Sequence, residues 1–187
     1  SRLRHYHTMY DPCCGSGTVL IEGALLANNI APGINRNFDV DRWGFIPESV
    51  WMSERERCRD LIKTDTDFVA FGTDIDPKAI ELTLKNAKNI GVDKFIRASV
   101  ADIKNFDPTT ERGTLITNPP YGERMLDVRE AEKIYRIMGD KFVAKHGWSY
   151  GIISPDEEFE KCFGRKADKR RKLYNGMIKC QYYMYFK

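Results

Sequence analysis

The chain has 187 residues, enough for one globular domain with a sizeable core, and 42% apolar with 12% aromatic content argues against disorder. No run approaches the roughly 18 uninterrupted apolar residues of a membrane helix, and no basic flank with an apolar signal core opens the chain. The net charge is only +3, and the positive excess sits in the second half: residues 1–100 carry 13 basic and 14 acidic side chains, residues 101–187 carry 17 and 13. The five cysteines, Cys13, Cys14, Cys58, Cys162 and Cys180, are odd in number and lack paired CxxC spacing. Neither a disulfide framework nor a zinc site is suggested, so a soluble, cytoplasmic protein is expected.

Strand-like and helix-like segments alternate without internal repeats, the pattern of a mostly parallel sheet flanked by helices in three α/β/α layers. Met9-Tyr10 predicts a strand leading into Asp11-Pro12 and a glycine turn. Val19 to Ala27 then forms a largely apolar helix ending near Asn28-Asn29. Residues 30–47 are irregular, with Pro32-Gly33, Trp43-Gly44 and Pro47, and a charged amphipathic helix follows from about Ser49 to Ile62. This stretch, about 30–66, is an insertion between the first two units.

Phe68 to Gly72 predicts the second strand, after which Asp76 is the N-cap and Pro77 the first residue of a helix. Ile80, Leu84, Ala87 and Ile90 are expected to line its buried face. Phe95–Val100 and Thr114–Thr117 are the next strands. Ala131, Ile134, Ile137, Met138 and Phe142 mark an amphipathic helix, and Tyr150–Ile153 another strand. Leu173-Tyr174 and Ile178 through Phe186 flank Asn175-Gly176, a strong turn dipeptide, so the chain should end in an antiparallel hairpin.

Three segments carry chemistry. Asp11-Pro12-Cys13-Cys14-Gly15-Ser16-Gly17-Thr18 places a Gly-x-Gly turn between strand and helix, where glycine permits a tight bend and close approach of a ligand. The third glycine of a dinucleotide fingerprint and the Gly-Lys-Ser/Thr ending of a P-loop are both missing. An acidic residue before the glycines suits a cationic group instead, such as the amino end of S-adenosylmethionine. The carboxylate of Asp74, after the second strand, can accept hydrogen bonds from a ribose diol, Ile75 can pack on adenine, and Asp102 can accept from the adenine amino group. Asp102 also suits a helix cap, and Asp76 suits its cap better than a cofactor contact.

Thr117-Asn118-Pro119-Pro120-Tyr121-Gly122 freezes a backbone shape beside an amide and an aromatic ring. An exocyclic base amine is a poor nucleophile because its lone pair is delocalised into the ring. The Asn118 side-chain oxygen and the Pro119 carbonyl can accept its two hydrogens and turn that lone pair toward a methyl donor, while Tyr121 stacks on the base. Positioning does most of this work, and no strong general base is required. His5, His7 and His146 show no ligand-like or triad spacing, so no metal and no catalytic histidine is expected. The run Arg165 to Lys172 suits either phosphate neutralisation or a solvated turn.

Together these motifs resemble the class I, Rossmann-like methyltransferases. With Leu20-Ile21-Glu22, Asn29-Ile30-Ala31-Pro32-Gly33, Arg36, Phe38, Trp43, Asp76-Pro77, Glu123-Arg124 and Leu173-Tyr174-Asn175-Gly176 included, the chain is similar over nearly its whole length to the large-subunit ribosomal RNA guanine-N2 methyltransferases. That family is often labelled N6-adenine-specific DNA methylase. The resemblance implies a seven-stranded, mostly parallel sheet, S-adenosylmethionine held by Asp11, Cys13, Gly15, Ser16, Gly17, Thr18, Asp74, Ile75, Asp102 and Asn118, and a target amine held by Asn118, Pro119, Pro120 and Tyr121. It implies that Glu22 supports the loop without an assignable contact. It also implies ribosomal RNA as partner, and a THUMP RNA-binding region preceding the methylase; only ten residues precede Asp11, so the chain reads as an excised catalytic domain. Alternatives are adenine N6 of DNA or RNA, a protein amide, and a non-catalytic cofactor- or RNA-binding module.

Overall fold

A computed structural model describes residues 8–108, 110–122, 125–143 and 145–186. His5, His7 and Glu123-Arg124 lie outside the described residues. Strands β1 (Thr8–Asp11), β2 (Val69–Asp74), β3 (Ile96–Val100), β4 (Gly113–Thr117), β5 (Trp148–Ser154), β6 (Lys169–Asn175) and β7 (Ile178–Phe186) form one sheet of order β3-β2-β1-β4-β5-β7-β6. Neighbours from β3 to β5 are parallel, and β7 runs antiparallel to both β5 and β6. The expected sheet with its C-terminal hairpin is therefore present.

Strand alternation divides the core between the two faces. On one face Met9, Ala70 and Ile96 meet Leu20, Ile21 and Ala24 of α1 (Thr18–Ala27) and Ile80 and Ala87 of α3 (Pro77–Ile90). On the other, Tyr10, Leu115, Tyr150 and Tyr183 meet Tyr135 and Met138 of α4 (Met125–Lys141) and Phe159 and Phe163 of α5 (Phe159–Phe163). Gly72 allows α1 this close, since a Cβ there would stand 2.4 Å from Leu20.

Three details differ from the sequence reading. The buried stripe of α3 is Ile80, Thr83 and Ala87, while Leu84 and Ile90 are exposed, so Thr83 and not Leu84 fills the middle of the buried face. The short helix α5 carries too few residues to show a period. The hairpin turn is Gly176-Met177, with Gly176 at φ 60°, the glycine-first form of a two-residue connection; Asn175 pairs with Ile178 and belongs to β6.

The insertion holds α2 (Glu48–Asp60), none of whose side chains is fully buried. Arg55 organises it, donating to the carbonyls of Ile34 (3.2 Å) and Arg36 (2.8 Å) and to Asp41 (2.7 Å). Asn29 donates to the Leu61 carbonyl and moors the end of α2 beside the end of α1. No helix among the described residues is long and apolar enough to cross a membrane.

Candidate active site

Three loops leave the C-terminal ends of adjacent strands β2, β1 and β4, where the chain turns to opposite sides of β1, the kind of crevice in which open parallel sheets bind ligands. Two carboxylates tie these loops together. Asp11, ending β1, is 2% exposed, and its Oδ1 accepts from the Cys13 backbone N–H (3.2 Å) and from the Thr117 hydroxyl (2.7 Å). Thr117 ends β4 and immediately precedes Asn118, so the Asn118-Pro119-Pro120-Tyr121 segment is anchored to the glycine loop through one buried carboxylate. Burial is the chief reason that the Asp11 carboxyl is pushed up to about 7 from an ordinary 3.8, and nearby Asp74 adds to the rise. No Lys, Arg or His forms an ion pair with Asp11 among the described residues.

Asp74 clamps the glycine loop. Its Oδ2 accepts from the Gly15 N–H and its Oδ1 from the Asp76 N–H, both at 3.0 Å. Each oxygen keeps a second lone pair for a further donor. Ile75 beside it stands 71% exposed at the strand end, an apolar surface with nothing packed over most of it. Asp76 is the N-cap of α3, accepting from Lys78 N–H, as expected.

The glycines adopt left-handed conformations, Gly15 at φ 54° and Gly17 at φ 81°, and a Cβ on Gly17 would sit 2.7 Å from Thr83. Helix α3 holds the loop from behind. The buried Thr83 hydroxyl donates to the Gly15 carbonyl (2.8 Å) and the Asn86 amide to the Ser16 carbonyl (3.0 Å). These two residues were missed in the sequence, where the one visible signal is a threonine inside an apolar stripe. Gly17 also precedes α1 with no side-chain cap, and Ser16 and Thr18 hydroxyls lie 3.1 Å apart beside that helix start. Burial raises both loop thiols, Cys14 to about 12, so neither is a thiolate near neutral pH.

Asp102 follows β3 and accepts from Lys104 N–H, so it caps a short 3₁₀ turn. It also lines, with Asp11, Pro12, Thr73 and Phe106, a cavity of about 250 Å³ at the ends of β1, β2 and β3. Asp74, Ile75 and residues 118–121 do not line that cavity. Glu22 is exposed on α1 and has no hydrogen bond to the loop.

In the Asn118-Pro119-Pro120-Tyr121 segment Pro119 is buried and Pro120 exposed. The Tyr121 hydroxyl donates to Asn118 Oδ1, and it accepts from the Asn175 amide at 3.2 Å. Burial pushes the Tyr121 phenol up, which keeps it a donor. The hairpin end thus reaches the motif, a contact that the sequence reading missed because it placed Asn175 in the turn. No insertion side chain hydrogen-bonds residues 11–18 or 118–121 among the described residues, and no cluster of His, Cys, Asp and Glu there could hold a metal.

The family model described as UPF0020, RMKL-like, methyltransferase domain, matches residues 1–184. The ribosomal RNA large subunit methyltransferase K/L of Shewanella sp. (strain W3-18-1) is 40% identical over 183 residues, covering 95% of this chain and 26% of that protein. Among solved structures, SMU.472 in complex with SAH matches with a TM-score of 0.92 and 37% identity, over 100% of this chain and 49% of the other. A "predicted N6-adenine-specific DNA methylase" from Listeria monocytogenes str. 4b F2365 matches with a TM-score of 0.92 and 36% identity, over 100% of this chain and 48% of the other. The chain spans from about a quarter to about half the length of the relatives it matches.

Proposed function

Because the chain belongs to the UPF0020 family of RMKL-like methyltransferase domains, we propose that it methylates an exocyclic base amine of nucleic acid, guanine N2 of large-subunit ribosomal RNA in the first place. The observation that carries this reading is the Asp11–Thr117 hydrogen bond, which sets a buried carboxylate, without a cationic partner among the described residues, against the start of the Asn118-Pro119-Pro120-Tyr121 segment. S-adenosylmethionine, the cofactor of this family, supplies an electrophilic methyl on a sulfonium and carries an ammonium, a carboxylate, a ribose diol and a purine.

The residues fit those groups one by one. Asp11 offers a buried anion to the ammonium, and the uncapped start of α1 with Ser16 and Thr18 suits the carboxylate. Asp74 offers its remaining lone pairs to the ribose, exposed Ile75 packs on the purine, and Asp102 accepts from the purine amine. Cys13, Gly15 and Gly17 complete the loop wall. Asn118 Oδ1 and the Pro119 carbonyl then accept from the acceptor amine, and Tyr121 stacks on its base. The amine sheds its proton to solvent after transfer, so no general base is drawn from the protein. The full-length relatives exceed this chain, and we assign recognition of the wider RNA to a THUMP region elsewhere in the protein.

The Asp74→Ala substitution is expected to weaken cofactor binding about tenfold to a hundredfold, by removing a charge-assisted hydrogen bond and loosening the Gly15 clamp. Calorimetry checks it, and unchanged affinity would refute the ribose role. The reading as a whole is tested by mass-spectrometric nucleoside analysis of RNA and DNA treated with the full-length protein. N2-methylguanosine is expected; N6-methyladenine moves the assignment to adenine, and a methylated protein amide with unmodified nucleic acid overturns it.

A further inference from the structure

The basic run of the second half divides once folded. Arg165 is structural: its guanidinium donates to the Phe142 carbonyl at 2.7 Å and lies over the Phe163 and Tyr185 rings at 5.1 and 4.9 Å. Arg170 reaches Glu160 at 3.5 Å. Lys172 and Lys179, by contrast, are exposed and pair with no acid among the described residues.

The register of the hairpin sets Lys172, Tyr174 and Lys179 on one face of β6–β7, with Lys179 directly opposite Tyr174. The Tyr174 ring is 60% exposed with the Lys172 ammonium 5.3 Å from its centroid, and Met177 at the turn is 98% exposed. The next residue along β6 is Asn175, whose amide holds the Tyr121 hydroxyl. Asn175 projects from the opposite face, with Lys169 and Arg171, so the aromatic face with its two cations lies across the hairpin tip from the contact with Tyr121.

We propose that this hairpin face binds the unpaired RNA strand flanking the target nucleotide, with Tyr174 stacking on a neighbouring base and Lys172 and Lys179 contacting phosphates. The inference rests on the nucleic-acid reading above. An exocyclic amine inside a duplex is out of reach of the acceptor motif, so the bases beside it must be splayed or single-stranded, and a single strand is gripped by stacking plus cationic contacts. Charges on an edge strand also discourage sheet-to-sheet pairing, but that role asks nothing of an exposed Tyr174. The other cations of β6, Lys169 and Arg171, project from its opposite face and are not part of this surface.

The test compares full-length wild type with the Lys172→Ala/Tyr174→Ala/Lys179→Ala variant, measuring binding of a short labelled single-stranded RNA and of its duplex against salt concentration. Affinity for the single strand should fall at least about tenfold, the lower range for one lost stacked base. The salt dependence should become shallower by about 1.4 in log–log slope, two phosphate contacts at roughly 0.7 each. Cofactor affinity should not change. Unaltered single-strand affinity in a variant whose parent methylates RNA overturns the hairpin assignment alone, as does an equal loss on duplex and single strand. A wild-type protein that binds and methylates no nucleic acid overturns this inference together with the function it rests on.

Discussion

Replacing Asn118 by alanine is expected to lower methyl transfer by about 10²- to 10³-fold while cofactor affinity stays nearly unchanged, the range found when one preorganised polar partner of a transition state is removed. The amide stands at the end of β4, where Thr117 is pinned to Asp11 and Pro119 is buried, so its oxygen is held by the sheet and not by a free loop. That oxygen already accepts from the Tyr121 hydroxyl. An entering amine must take its place, and the Asn175 amide leaves Tyr121 a hydrogen bond when it does. Alanine removes the acceptor altogether, so the amine lone pair stays delocalised in the base. The Asn118→Asp substitution keeps an acceptor and should retain part of the activity. Single-turnover kinetics with saturating cofactor read the effect directly; an alanine variant with normal turnover would remove Asn118 from the mechanism.

The parallel core of the fold was legible because its strands are short apolar runs separated by helix caps and glycine turns. Asp76-Pro77 announced α3, and the Gly15 and Gly17 turn announced α1. Local pattern failed where a residue's neighbours come from distant sequence. Thr83 looks like a blemish in an apolar stripe until the Gly15 carbonyl is brought to it from 68 residues away. Asn175-Gly176 reads as a turn dipeptide, but the sheet register shifts the turn by one residue and turns Asn175 into a support for Tyr121. Arg165 counts as a surface charge in composition and is a cation over two rings in the fold.

The candidate site was legible as residue types at strand ends more than as connections between them. Residue types at strand ends pointed to Asp11, Asp74, Asp102 and Asn118. What no linear pattern states is that the first two are also mechanical ties, Asp11 between β1 and β4 and Asp74 between β2 and the glycine loop. On the proposed reading each carboxylate would also bind the cofactor and so couple loop order to ligand binding, and substitutions there are to be judged on stability and affinity together.

Asp11 shows this most sharply, and Asp11→Asn should raise stability while it abolishes tight cofactor binding. The carboxyl titrates near 7 in the folded chain and near 3.8 when unfolded. Between those values the folded chain retains a proton that the unfolded chain has released, so wild-type stability falls as pH rises through about 4 to 7 and then levels off. The accumulated cost is on the order of 4 kcal/mol, because each pH unit of that window contributes about 1.4 kcal/mol. Asparagine keeps an oxygen for the Thr117 and Cys13 donors but never ionises. The melting temperature of the variant without cofactor should therefore exceed that of wild type at pH 8, the gap closing as pH falls toward 4. Cofactor affinity should behave oppositely. In wild type it should strengthen as Asp11 ionises between pH 6 and 8, and in the variant it should be flat and about a hundredfold weaker at pH 8, the loss of a largely desolvated charge pair. A purely structural Asp11 would give the stability gap with unchanged affinity, and a partner cation already built into the fold would give the reverse, a variant less stable than wild type at pH 8.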